Sequence, residues 1–150
     1  MSTTSASGTA FDLWRLEAAI ALLKGSRWVA AFSILLAVIA GVALAATDLQ
    51  GAHARIAASA ALGLGAVSAY LALRSAMDEH CFRAFRDETS GLPEALAAFD
   101  TALQSLGWVT AAKAGRELSD RVRGARRLVS AQAIVLLGEL LLVAAIPWLR

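Results

Sequence analysis

One carboxylate stands where carboxylates are rare. Glu139 lies in IVLLGELLLVAA, inside a run from Leu128 to Leu149 that is otherwise free of charge. A charged carboxylate at mid-bilayer costs at least about 2.5–3.5 kcal/mol, so it must face protein or water, or hold a proton. No basic residue sits at that depth elsewhere, since Arg55 and Arg74 lie at the two ends of the second apolar run. Counted from the membrane faces, Glu139 is level with Ala37 and with Gly63–Gly65, and Ser33 and Ser68 fall about one helical turn away. Three chemistries are open to it. A neutral Glu139 can donate a hydrogen bond to a serine or to backbone bared by the glycines, which stabilises a bundle. It can pair with a polar group on another subunit. It can also bind or relay a proton or cation, as intramembrane carboxylates in transporters do.

The other reactive residue types offer less. Asp78-Glu79-His80-Cys81 has metal-friendly side chains, but consecutive residues fan out around a helix axis and do not converge on one ion. No Cys/His spacing fits a zinc site, and the lone Cys81 excludes an internal disulfide. No nucleophile triad, phosphate loop or two-carboxylate site is present, so the sequence predicts no catalysis and calls for no cofactor or metal. Arg121, Arg123, Arg126 and Arg127 gather at the mouth of the last apolar run. Ordinary topology anchoring explains them, and anionic lipid such as cardiolipin is the sharper possibility.

Helices in lipid must position these residues. Hydrophobic residues make up 58% of the 150 and aromatics only 7%, whereas soluble domains are roughly 45–50% apolar. The excess is Ala, Leu and Val. Three runs are long enough to cross a hydrocarbon core of roughly 30 Å, at about 28–46, 54–73 and 128–149. Ala43-Leu44-Ala45 matches a signal-peptidase site, yet the preceding region is too long and too acidic for a leader, so no cleavage is expected. In the second run, Ser59, Gly63, Val67 and Ala61, Gly65, Ala69 form small-residue rows four apart, suited to close helix approach.

Polar segments complete the layout. Residues 1–9 predict a disordered tail, and residues 10–150 a single helical domain. Thr9 and Asp12 fit a capping box, and Phe11, Trp14, Ala18 and Ala21 give a stripe that predicts an interfacial helix at about 10–24, lying flat on the membrane. Opposite charges four apart (Arg74–Asp78, Glu79–Arg83, Arg83–Asp87, Arg116–Asp120, Glu117–Arg121) predict that spans two and three continue as helix outside the bilayer. They would enclose an amphipathic helix at about 92–107, within a polar layer at 74–127. Its apolar face includes Leu96, Phe99 and Leu103, and Gly107 should stop it.

Of the fourteen basic residues, only Arg55 and Arg150 fall on the side opposite the N-terminus and the long polar link. That bias predicts an N-terminus and polar layer in the cytoplasm and a C-terminus outside. The Arg- and Ala-rich usage suggests a bacterial inner membrane, and a basic charge set beside apolar runs suits lipid headgroups rather than nucleic acid. The expected function is a non-enzymatic structural or accessory subunit of a membrane complex. The alternatives are a homo-oligomeric transporter or channel using Glu139, and a scaffold or sensor that binds a soluble partner through Leu96, Phe99 and Leu103.

Overall fold

The computed structural model describes residues 4–45, 51–87, 91–107 and 115–149, with side chains from residue 11 onward. They form α1 (Thr4–Ala45), α2 (Ala52–Asp87), α3 (Leu92–Ser105), α4 (Leu118–Ala145) and a closing 3-10 turn at Ile146–Leu149. No strand occurs among the described residues. Three of the helices, α1, α2 and the α4 segment, are long and apolar enough to cross a membrane. At about 1.5 Å per residue the 42 residues of α1 reach about 60 Å, twice the hydrocarbon thickness. Pro147, which lacks an N–H, follows the last α-helical turn of α4.

A seven-residue repeat organises the packing. α1 buries Leu16, Ala19, Leu23, Ser26, Ala30 and Ser33, at steps of three and four. α2 buries Ala61, Gly65, Ser68, Ser75, Glu79 and Phe82, at steps of three, four and, from Ser68 to Ser75, seven. On α4 the buried positions are Leu118, Ala125, Gln132 and Glu139, seven apart, and Ile146 continues the series. Such spacing keeps one seam facing the partners when helices cross at a small left-handed angle. Directions follow from the contacts. Ser33 bonds Glu139 and Gln132 bonds Ser26, both 106 residues apart, so α1 and α4 run parallel. Glu17 pairs with Arg86 near one end while Gly41 lies against Leu62 near the other, so α2 is antiparallel to α1.

The core changes character along the bundle. At the end that holds α3, Leu16, Ile20, Leu23, Phe82, Phe85 and Leu118 pack as a soluble-type core. Along the spans the interior holds Ala, Gly and Ser, while Phe32, Leu35, Ile39, Ile134, Leu137 and Leu141 face outward. Large apolar groups outside and small groups between helices is the arrangement lipid favours, because lipid tails give no hydrophobic drive to bury leucine. A multi-pass membrane protein follows from these three helices.

Several expectations need correction. Residues 10–24 are not a separate helix lying flat: α1 is unbroken, because Leu16, Ala19, Ile20 and Leu23 bury in the cluster with Phe82 and Phe85, which holds this segment in line with the bundle. The stripe of Phe11, Trp14, Ala18 and Ala21 is its outward face. Residues 4–9, assigned by sequence to a disordered tail, lie within α1, so Thr9 and Asp12 form no capping box at its start. Gly63 and Val67 turn outward with Ser59, while Ala61 and Gly65 turn inward and Ala69 does not. The extension of the third span begins at Leu118. Arg74–Asp78 and Glu79–Arg83 pair as spaced, but Asp87 pairs with Arg86, Asp120 with Arg123, and Arg121 with Asp100.

Candidate functional site: a polar column inside the spans

Each long helix contributes a pair of polar residues seven apart to the interior, Ser26 and Ser33, Ser68 and Ser75, Gln132 and Glu139, and α2 adds Glu79. Glu139 is 0% exposed and accepts a hydrogen bond from Ser33 Oγ at its Oε2. Its other oxygen, Oε1, has no hydrogen-bond partner. Gly65 faces it: a Cβ built there would lie 3.0 Å from Glu139 Oε1 and 2.6 Å from the Ala37 Cβ. The glycine therefore makes the room that lets the carboxyl lie between helices.

One heptad away, Gln132 Nε2 donates to the Ser26 carbonyl at 3.2 Å, leaving Gln132 Oε1 unpartnered. Ser26 Oγ, Ser68 Oγ and Ser75 Oγ are also buried without partners. A buried polar group costs about 1–3 kcal/mol unless a partner or a water satisfies it, so this column makes the seam more demanding than an all-apolar one. Neighbouring helices set the heights. Leu64 touches Gly138 and Gly65 faces Glu139, so Ser68, three residues on along the antiparallel α2, stands about 4.5 Å nearer the Gln132 level. Ser75 follows, then Glu79.

Glu79 is buried at the polar end of the column and takes an ion pair from Arg83. Beside it, Arg27, Ala76, His80 and Arg83 complete an open cleft of about 270 Å³. At the opposite end, beyond Glu139, the seam is apolar: Ala54, Ala57, Ala58 and Ile146, backed by Ala43, Leu44 and Leu142.

The arginines divide. Arg121 turns to the protein: it bonds Asp100 at 2.6 Å, and its guanidinium lies over the Phe99 ring at 5.7 Å and the Phe85 ring at 6.0 Å. Asp100 also accepts from the Gly115 N–H at 2.7 Å. Burial pushes the Asp100 carboxyl up, but the Arg121 bond, the Gly115 N–H and the nearby Arg116 outweigh it and hold it below the usual carboxylate range. Arg123 pairs with Asp120. Arg126 and Arg127 are exposed and make no ion pair among the described residues, and Arg126 lines a second open cleft, of about 230 Å³, with Arg15, Ser119, Val122 and Arg123. Leu96 and Phe99, expected as a partner-binding face, pack against the internal cluster instead, with the Phe99 and Phe85 rings edge-to-face at 5.1 Å. Leu103 is half-buried.

No protein-family model, curated protein or solved structure matches the chain. Among the described residues no three His, Cys, Asp or Glu side chains converge on a point that could hold a metal. Ser26, Ser75, Gln132 and the burial of Glu79 escape a reading based on apolar runs, because Ser26 and Ser75 lie just outside those runs and the amide of Gln132 is uncharged. The seven-residue spacing between the polar pairs is the signal that finds them.

Proposed function

We propose that this chain is a non-enzymatic structural or accessory subunit of a membrane complex, of bacterial inner-membrane type, with its N-terminus and α3 layer in the cytoplasm. The observation that carries the reading is the inward placement of Glu139, bonded to Ser33 of its own chain. A carboxyl spent on the chain's own seam fixes helix register, as single buried polar groups do in coiled coils, and leaves an apolar outer wall for lipid or neighbouring spans. The twelve basic residues on the α3 side against Arg55 and Arg150 support the orientation. Exposed Arg126 and Arg127, just before the apolar run of α4, suit anionic headgroups. A scaffold role through Leu96 and Phe99 is less favoured, because a partner would have to pull both from the internal cluster.

Affinity purification of the full chain in mild detergent, with mass spectrometry, tests this reading. A membrane protein co-purifying in fixed proportion is the expected result. A lone monomer in several detergents, with nothing bound, would overturn it.

A further inference from the structure

The unpartnered oxygens of the spans are not scattered. By rise along the axes they fall at successive levels of one seam, from the polar end of the bundle to Glu139. From the cleft beside Arg27 and Arg83 the levels run through Glu79, Ser75, Gln132 with Ser26, and Ser68 to Glu139 with Ser33. Successive levels are about 5 Å apart along the axes, a gap that one bridging water spans. Beyond Glu139 the seam closes on alanines and Ile146. No charged or titratable side chain of α1 or α2 faces Glu139 among the described residues. Its neighbours there are Ser33, Ala37 and Gly65, with Ser68 three residues on along α2, and the nearest charges along the seam are Glu79, Arg83 and Arg27 at the cleft.

We propose that Glu139 is a proton-binding site with access from one side only, at the blind end of a path that opens between α1 and α2 at the α3 end of the bundle. A hydroxyl or a water can accept and donate at once, so each serine, and each water held between levels by the serines and the Gln132 amide, passes one proton forward as it takes one from behind. The net change is the conversion of the Glu139 carboxylate to a carboxylic acid by one proton from that side. Oxygens from one carboxyl and two serines are too few for calcium, which takes six or more oxygen ligands, or for magnesium, which takes six. A proton needs only one. This site goes beyond the structural role proposed above and does not depend on it.

Infrared spectroscopy of the full chain in lipid bilayers tests the site directly. The expected spectrum holds a carboxylic C=O band that Glu139→Gln removes, that weakens as bulk pH is raised, and that shifts on transfer to D₂O. Ser68→Ala and Gln132→Leu leave Glu139 in place. They should keep the band and the helical circular dichroism while slowing its deuterium shift by about tenfold or more, the effect of one raised barrier along the path. A band absent at every pH, or one that never titrates or exchanges, would overturn the site. Equal exchange rates in wild type and both path variants would overturn the path. Loss of the band on adding sodium at fixed pH would reassign the site to a cation. None of these readouts requires a partner protein, so failure of the complex-subunit reading leaves the test intact.

Discussion

Gly65 is the residue on which the membrane seam turns. A methyl group there meets the Ala37 Cβ at 2.6 Å, and that neighbour belongs to a helix that cannot simply rotate away. Overpacking of this kind costs about 1–3 kcal/mol, so Gly65→Ala should lower the thermal midpoint in detergent and weaken the Ser33–Glu139 bond. Gly63, with nothing near its missing Cβ, serves as the control. Gly63→Ala should be neutral or gain up to about 1 kcal/mol through helix propensity, and equal losses at both glycines would contradict the packing described. Cys81 offers a second check. Burial pushes its thiol up and Asp78 adds to this, against smaller opposing effects of Arg121 and Arg74. Maleimide should therefore modify Cys81 much more slowly in the folded protein than in the denatured chain, and comparable rates would place the thiol in open water.

At the scale of elements, α3 is held by charge as well as by apolar area. Its apolar face meets Phe85, and Asp100 ties it to Arg121 of α4 and to the Gly115 N–H ahead of that helix. Removing one partner of a buried ion pair costs on the order of 3 kcal/mol, so Asp100→Ala should expose the α3 layer to proteolysis before the spans unfold. Acid should do the same. The folded carboxyl is held below its unfolded value, which is about 3.9. The stabilisation is therefore fully present above that value and is lost as pH falls through the lowered folded one. Limited proteolysis against pH should show α3 released in that acidic window in the wild type, and already released at neutral pH in Asp100→Ala. A profile shared by both proteins would remove Asp100 from the account.

For the whole molecule, the helix directions place the start of α1 and the end of α2 at one end, with the closing turn at Trp148 at the other. With Cys81 replaced by serine, new cysteines at Trp14 and Glu94 should label from the same side of a sealed membrane with an impermeant maleimide. A cysteine at Trp148 should label only from the opposite side. Any other pattern contradicts three crossings. Bilayer thickness sets the division of the core: where lipid surrounds the bundle, small and polar residues go inside, and where water does, leucine and phenylalanine go inside.

The sequence by itself determined the three crossings, because a run of about twenty apolar residues has no better place than a bilayer. It also gave the depth of Glu139 and its nearness to Ser33, since rise per residue converts position into height. The helical range of α3 was readable from Pro93 and Gly107, the latter at φ +70. Tertiary structure alone decided which face of each helix points inward. Residues 10–24 have two apolar stripes, and only the cluster with Phe82 and Phe85 selects Leu16, Ile20 and Leu23 over Phe11 and Trp14. Arg121 looked like its neighbours in the arginine cluster until Asp100, 21 residues away, was found beside it. Glu139 needed the same step. Its depth was a local property, but the column of serines and Gln132 that connects it to one end of the bundle exists only once three helices share one seam.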